Sequence, residues 1–257
     1  MVTLFGIPFD GKSSHQTGAA LAPSRIRQEF ASPAYNAYSE SLIDVQLRLH
    51  DAGDIRGDTF DQLRQEFETL SISKDSYLFL GGDHSVSYLS IRKMHALYGP
   101  NFHILHFDAH SDLYDEFEGD RFSHACPFAR IMEENLAASL TQVGIRTLTP
   151  HQREQAERFG VKIFRMQDLE KFDPSQIPGP IYISIDLDVF DPAFAPGVSH
   201  QEAGGVSSRE VINWIQGIKV PVIGADLVEY NPLRDKEGIT AALCAKLMKE
   251  LIPLMTV

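Results

Sequence analysis

The chain has 257 residues, enough for one large α/β domain, and 23 Lys+Arg against 35 Asp+Glu give it a net charge of −12. This acidity argues against binding to a nucleic acid backbone or an anionic membrane, and a hydrophobic content of 43% excludes a disordered chain. Cys126 and Cys244 are too few for a disulfide scaffold, no apolar run reaches the roughly 18 residues of a membrane span, and the first residues are unlike a secretory leader. We therefore expect a cytoplasmic protein with a single domain over residues 1–257.

Short β-branched and aromatic segments alternate along the chain with longer segments of helical spacing. Strands are predicted over 2–6, 46–50, 76–80, 102–107, 140–145, 161–165, 181–186 and 221–226. Helices are predicted over 22–30, 58–72, 85–98, 125–138, 150–159, 207–218 and 237–252. Several strands are apolar at nearly every position, which is typical of a parallel sheet covered on both faces by helices. The pattern predicts a three-layer αβα sandwich around an eight-stranded parallel sheet.

Polar residues follow three of these strands directly. The segments are GGDHS at 81–85, HFDAHSD at 106–112 and SIDLDVFDP at 184–192. In open parallel sheets the ligand crevice lies at the carboxyl ends of the strands. Asp108, His110 and Asp112 are spaced by two, as are Asp186 and Asp188, and in extended chain this spacing places side chains on one side.

The carboxylates of these segments would repel one another and be costly to bury in one crevice. They are Asp108, Asp112, Asp186 and Asp188. Two divalent cations would cancel the four charges, and His84 and His110 would add neutral nitrogen ligands. Carboxylates with one imidazole per cation suit Mn²⁺ better than Ca²⁺ or Zn²⁺. The sequence therefore predicts two Mn²⁺ ions per chain.

Each segment also has a simpler interpretation when it is taken alone. The Asp-x-His-x-Asp segment fits a solvated strand end, Asp186-x-Asp188 fits a turn, and Gly-Gly-Asp-His fits a tight turn with a capping Asp. All three lie at strand ends, and this coincidence favours a shared site.

These segments resemble the three signature stretches of the ureohydrolases, the family of arginase and agmatinase. The resemblance extends in the same order over GIPFD at 6–10, SHACPF at 123–128, GGVSSRE at 204–210 and DLVEYNP at 226–232. It covers essentially the whole chain. It implies an eight-stranded parallel sheet, a dinuclear manganese centre, and assembly into trimers or hexamers.

The resemblance also implies a role for each site residue. One metal would be held by His84, Asp108, Asp112 and Asp186, and the other by His110, Asp108, Asp186 and Asp188. His124 would shuttle protons, Glu229 would pair with the guanidinium group of the substrate, and Asp112 would take part in catalysis. A pair of cations would make water a nucleophile at neutral pH, and the reaction would release urea and an amine.

The substrate is predicted from three positions that depart from the arginase pattern: Tyr114, Phe122 and Thr149. A site built for the zwitterionic end of arginine should not lack its polar partners. The sequence therefore predicts agmatine first, with 4-guanidinobutyrate or another guanidino acid next and arginine behind them. The acidic loop within 113–122 either favours a dication or is simply solvated.

Alternatives from other classes remain open at this point. Gly6–Ser13 fits the phosphate-loop pattern, although Pro8 removes a backbone N–H group and Gly18 and Pro23 interrupt a following helix. Deacetylases of the same broad architecture use a single zinc ion. A non-catalytic metal-binding homologue is the third alternative.

The other histidines and Cys126 are weaker candidates. His15 is a candidate for the mouth of the pocket, whereas His103 and His106 are expected to pack or form hydrogen bonds rather than bind metal. Cys126 is expected to be a small packed residue. No role is assigned to His50, His95, His151 or His200.

Overall fold

The computed structural model describes residues 1–255 and is built on an eight-stranded sheet. All recorded strand pairings are parallel, in the order β2-β1-β3-β8-β7-β4-β5-β6. The strands are β1 (Val2–Gly6), β2 (Leu49–Asp54), β3 (Ser76–Leu80), β4 (His103–Phe107), β5 (Ser139–Ile145), β6 (Lys162–Arg165), β7 (Ile181–Asp186) and β8 (Val222–Val228). The α-helices are α1 (Ala22–Phe30), α2 (Phe60–Thr69), α3 (Val86–Tyr98), α4 (Pro127–Glu133), α5 (Pro150–Phe159), α6 (Ser208–Gly217) and α7 (Ile239–Leu251).

Helices cover both faces of the sheet, and each face has its own apolar core. Buried residues of α1, α6 and α7 form one core with the sheet, as Ile215 and Leu247 illustrate. Buried residues of α2 to α5 form the other, as Met94 and Phe128 illustrate. Every residue of β7 and β8 is buried, as strands covered on two faces must be. The predicted three-layer αβα sandwich around a parallel sheet is confirmed.

Element bounds differ from the prediction where apolar patterning is weak. Strand β2 lies at the edge of the sheet and is mostly exposed, so it lacks the pattern that marks a buried strand. It covers Leu49–Asp54, because the first predicted residues form a 3₁₀ turn over Gln46–Arg48. The helix predicted over 125–138 is only Pro127–Glu133.

The segment after β1 excludes the phosphate-loop alternative. The chain forms no helix between Ser13 and the 3₁₀ turn at Ala19–Leu21, whereas a phosphate loop needs a helix at once. Lys12, the residue that would contact phosphate, pairs with Asp120 at 2.6 Å. In the part of the chain that the structure describes, no helix has the length and apolarity to cross a membrane.

The strand order determines where the polar segments meet. Strand β8 lies between β3 and β7, and β7 pairs with β4. The segments that follow β3, β8, β7 and β4 therefore emerge side by side at one edge of the sheet. In the order of those strands, the segments are GGDHS at 81–85, the residues after Val228, the turn Leu187–Val189, and DAHSD at 108–112.

Candidate active site

His84 lies on the loop after β3 and is fully buried. Its Nδ1 atom is 3.2 Å from Asp108 Oδ2, 3.0 Å from Asp112 Oδ2 and 3.2 Å from Asp186 Oδ2. Yet Nδ1 makes no hydrogen bond, which is unusual for a buried polar atom. A buried nitrogen among three carboxylate oxygens fits a cation better than it fits a proton. We call these four residues the His84 sub-site.

A second group, the His110 sub-site, consists of His110, Asp108 and Asp188. His110 Nδ1 is 2.9 Å from Asp188 Oδ2 and 3.5 Å from Asp108 Oδ1. One donor atom from each residue lies within 4.8 Å of the others, close enough for one ion. Asp108 therefore presents Oδ2 to His84 and Oδ1 to His110, so its two oxygens could serve as ligands in both sub-sites.

The backbone reaches this arrangement through turns. Strand β4 ends at Phe107, and Asp112 has a left-handed φ of 48°. Asp188 lies in the 3₁₀ turn over Leu187–Val189, and its N–H group donates to Asp186 Oδ1 at 2.8 Å. The side chains converge as predicted, but the expectation that extended chain brings them together is wrong, since the chain turns after each strand.

Two carboxylates of this cluster are destabilised in their charged form by burial and by neighbouring carboxylates. Burial, together with the charges of Asp188 and Asp108, raises the pKa of Asp186 well above its usual range. Burial also raises the pKa of Asp188 to about 6, although His110 opposes this shift. The residues present fit divalent cations, because positive charge between these oxygens would relieve the repulsion that their pKa values express.

A hydrogen-bonded chain behind His84 fixes the direction of its ring. His84 Nε2 is 3.0 Å from Ser184 Oγ, which donates to Asp226 Oδ1 at 2.6 Å. Tyr182 donates its hydroxyl to Asp226 Oδ2 at 2.8 Å. With the proton on Nε2, the lone pair of Nδ1 faces the carboxylates. Sequence analysis missed Asp226, although a carboxylate inside the apolar strand β8 is a signal in itself.

His106 forms a hydrogen bond with Asp108. The donor atoms of His84, His106 and Asp108 lie close enough to share a cation. However, the amide nitrogen of Gln142 lies 3.0 Å from His106 Nδ1 and donates to Ser111 O at 2.6 Å. Since an amide nitrogen can only donate, Nδ1 accepts, and Nε2 carries the proton to Asp108 Oδ2 at 2.8 Å. The prediction that His106 forms hydrogen bonds rather than binding metal therefore agrees with this geometry.

The two sub-sites form the floor of a cavity of about 310 Å³. His124 and Glu229 lie in its wall. Glu229 follows β8 with a left-handed φ of 62° and accepts hydrogen bonds on Oε1 from His84 N at 2.8 Å and His124 Nδ1 at 2.9 Å. Burial alone would lower the pKa of His124, but the Glu229 carboxylate outweighs it and raises that pKa to about 9.

Two of the three residues predicted to shape the substrate pocket line the cavity, and the third does not. Tyr114 and Thr149 line the cavity as predicted. Phe122 does not face it; its ring packs 5.3 Å from Phe60 and 5.5 Å from Tyr88, within the α2–α3 side of the core.

The acidic loop fits the solvated alternative. The Asp115 carboxylate is 2.8 Å from Arg130 and 3.2 Å from Arg121, so its charge is paired. Glu116 and Glu118 are exposed. Neither is among the described residues that line the cavity. The loop therefore gives no support to the idea that these carboxylates favour a dication.

His200 is a pocket residue to which sequence analysis assigned no role. It lines the cavity, and its ring centroid lies 5.3 Å from that of His124 and 6.0 Å from that of His110. His15 is exposed on the outer side of His200, at 5.4 Å between ring centroids. Only the loop path places His200 here, so no periodicity in the sequence could have identified it.

Cys126 and His103 take structural places. The Cys126 thiol is buried, and burial raises its pKa to about 12, so it remains protonated at neutral pH. His103 Nδ1 is 2.7 Å from Ser139 Oγ on the neighbouring strand. His103 is therefore hydrogen-bonded, as expected.

Comparisons with known proteins agree with this geometry. The model of the arginase family matches residues 1–253. Arginase 1, mitochondrial, of Arabidopsis thaliana is 42% identical over 97% of the chain and 79% of its own length. An agmatinase of Bacillus cereus is 31% identical over 98% of the chain and 90% of its own length. The structure of an arginase from Medicago truncatula superposes with a TM-score of 0.90 at 38% identity, over 99% of this chain and 87% of that one.

Proposed function

The chain belongs to the arginase family, whose members are metal-dependent ureohydrolases, and we propose from this premise that it cleaves a guanidino compound to urea and an amine. One observation carries the proposal: two groups of His and Asp side chains share Asp108, and the His124–Glu229 pair lines the same cavity as members of both groups.

Two Mn²⁺ ions would be held by the predicted ligands. The His84 sub-site would hold one ion and the His110 sub-site the other; Asp108 contacts both histidines and would serve both ions, and Asp186 is predicted to do the same. The donors are imidazole and carboxylate without thiolate, which suits manganese. When bound, the two cations would supply a nucleophilic water at neutral pH.

The remaining chemistry belongs to side chains of the chain itself. Both hydrogen bonds that Glu229 accepts fall on Oε1, which leaves Oε2 to bind the planar guanidinium. Glu229 would thereby hold the guanidinium carbon over the floor of the cavity. His124 would protonate the amine that leaves, because its Nδ1 faces the same carboxylate that binds the substrate.

We propose agmatine as the substrate. The cavity lining among the described residues contains no Lys or Arg, so a substrate carboxylate would have no cationic partner there. Glu202 Oε1 lies 3.6 Å from His110 Nε2, and we propose that its partly exposed carboxylate attracts the amine at the far end of the substrate.

Arginine ranks lower on the residues of the site, but the sequence identities to known relatives favour it. The arginase of Arabidopsis thaliana shares 42% identity with the chain, whereas the agmatinase of Bacillus cereus shares 31%. Neutral hydrogen-bonding groups such as Thr147 and Gln152 line the cavity and would hold an α-carboxylate without an ion pair.

Urea release from a panel of guanidines tests both candidates on protein reconstituted with Mn²⁺. We expect kcat/KM for agmatine to exceed that for arginine by about tenfold or more, with 4-guanidinobutyrate between them. Arginine as the best substrate would replace the agmatine assignment, and no urea from any guanidine would refute the proposed reaction. Metal analysis giving one zinc ion per chain would contradict the two-cation site.

Two further proposals concern the setting of the enzyme. Proteins of this family are typically oligomeric, and we propose a homotrimer or homohexamer for this chain, which light scattering on the purified protein would measure. We also propose that it acts in the cytoplasm, where its two cysteines would stay reduced.

A further inference from the structure

Ser14 contacts the ring nitrogen of His124 that faces away from Glu229. Its hydroxyl oxygen lies 2.8 Å from Nε2, and its backbone N–H group donates to the same atom at 3.2 Å. The other ring nitrogen, Nδ1, is 2.9 Å from Glu229 Oε1. One side of the ring thus faces the substrate carboxylate, and the other faces the loop that follows β1.

The two Ser14 groups act differently on the ring. A backbone N–H group can only donate, so it favours a ring with a lone pair on Nε2 and its proton on Nδ1, donated to Glu229. A hydroxyl donates to Nε2 when the ring is neutral and accepts from Nε2 when the ring is protonated. The hydroxyl therefore supports both protonation states, whereas the N–H group supports one.

The N–H contact of Ser14, unlike its hydroxyl contact, opposes the effect of Glu229 on the pKa of His124. The Glu229 carboxylate raises the pKa of His124 to about 9, although burial lowers it, and a ring that stays protonated cannot take up a proton in the next turnover. The Ser14 N–H group disfavours the protonated ring. The charged and titratable groups that face His124 from the packed segments are Glu229, Asp112, Asp83 and His200.

Ser14 also lies at the boundary between the buried ring and solvent. Ser14 is exposed, whereas His124 is buried. The loop is fixed on both sides of Ser14: Lys12 N donates to Asp83 Oδ2 at 2.8 Å, and Gly18 N donates to Asp10 Oδ2 at 2.6 Å. The loop thus holds the Ser14 hydroxyl in a fixed position between His124 and bulk water.

We propose that Ser14 is a positioning residue for His124, whose N–H group selects the tautomer with the proton on Nδ1 and whose hydroxyl passes protons between Nε2 and solvent. The inference rests on the proposed function, because it assumes that His124 exchanges a proton in every turnover. Nε2 takes the hydroxyl proton of Ser14 while Oγ takes a proton from a hydronium ion or a buffer acid. One O–H bond breaks as another forms, so Ser14 is unchanged.

Kinetics of three variants test the hydroxyl. Ser14→Ala removes the hydroxyl but keeps the N–H group, and Ser14→Thr keeps both. Ser13→Ala is the matched control, because Ser13 Oγ is buried without a hydrogen-bond partner. We expect Ser14→Ala to lower kcat by about tenfold with KM nearly unchanged, and imidazole buffer to restore part of the loss. Ser14→Thr and Ser13→Ala should behave as the unaltered enzyme does.

Titration of His124 by ¹⁵N and ¹H NMR in the metal-free protein gives a second readout that needs no turnover. Ser14→Ala should lower the pKa of His124, since the protonated ring loses its acceptor, and Ser13→Ala should not. An unchanged titration in Ser14→Ala, or a raised KM with unchanged kcat, would overturn the proposal. If the unaltered enzyme releases no urea but the pKa of His124 falls in Ser14→Ala, the proposed function fails while the contact stands.

Discussion

The two sub-sites share Asp108 but differ in their surroundings. The His84 side chain is fully buried beside three carboxylates, and its far nitrogen is held by Ser184 and Asp226. The His110 side chain is 27% exposed beside two carboxylates, and its far nitrogen is 3.6 Å from Glu202, itself partly exposed. More ligands and a fixed second partner favour tighter binding, so we expect the His84 sub-site to hold its cation more strongly.

The two sub-sites are therefore expected to differ in how readily they exchange their cations. In the His84 sub-site, His84 and Asp108 are fully buried and Asp112 and Asp186 line the cavity, so a cation held there would be the less exchangeable of the two. In the His110 sub-site the histidine itself lines the cavity and is partly exposed, so a cation there would be more accessible to substrate and to exchange with solvent. Chelation should therefore remove the cations in two stages, with activity lost in the first.

The largest effect is expected from the residue common to both halves. Asp108→Asn removes one negative charge from each sub-site, and metal content should fall in both. The loss should exceed the roughly 10–100-fold that a substitution outside the ligand shell costs in metal affinity. Metal analysis after gel filtration measures it. Asp188→Asn is the comparison, and it should empty the His110 sub-site only; equal losses in both variants would contradict the division.

His124→Asn should slow the reaction while both sub-sites keep their cations. Removing a positioned proton donor costs about 10²–10⁴-fold in rate. The measurement is kcat together with metal content in one preparation. Full activity would remove His124 from the mechanism, and a loss of metal would show that it supports the floor instead.

The His124–Glu229 pair should also make stability depend on pH in the metal-free protein. The pKa of His124 is raised from 6.5 to about 9 in the folded state. Its stabilising contribution is therefore fully present below about pH 6.5 and is lost as pH rises through about 9, with a limit of about 3 kcal/mol. Thermal unfolding at pH 6 and pH 10, with His124→Asn as reference, measures this. A gap between the proteins that is equal at both pH values would refute it.

Asp226→Asn should weaken the His84 sub-site alone, by about 10–100-fold in cation affinity. The amide cannot hold Ser184 and His84 with the strength of a carboxylate. Calorimetric titration with Mn²⁺ would resolve two binding events and show which one changes. Glu202→Gln, the equivalent change beside His110, should have a smaller effect because Glu202 is partly exposed. A larger loss of affinity in Glu202→Gln than in Asp226→Asn would show that the His110 sub-site, not the His84 sub-site, depends more on its supporting carboxylate.

The floor of the site was predictable from the sequence, whereas its walls were not. His84 and Asp108 follow apolar strands and Asp186 ends one, and the carboxyl ends of parallel strands lie at one edge of the sheet. The turns that direct Asp112 and Asp188 inward depend on backbone conformations that spacing does not encode.

The walls come from loops whose path depends on tertiary packing. His200 reaches the cavity from the long segment between β7 and α6, and Phe122 turns toward α2 instead of the cavity. Neither direction follows from hydrophobic periodicity. This is why the reaction type could be inferred from the sequence while the substrate could not.

The position of β8 has a consequence for the growing chain on the ribosome. Strand β8 (Val222–Val228), the last strand in the sequence, lies between β2-β1-β3 on one side and β7-β4-β5-β6 on the other, so without it these two groups of strands would not be joined. Glu229 is the residue that directly follows this strand. A chain that ends before this point would have neither a continuous sheet nor the residue proposed to bind the guanidinium, so we expect no partial product of translation to be active.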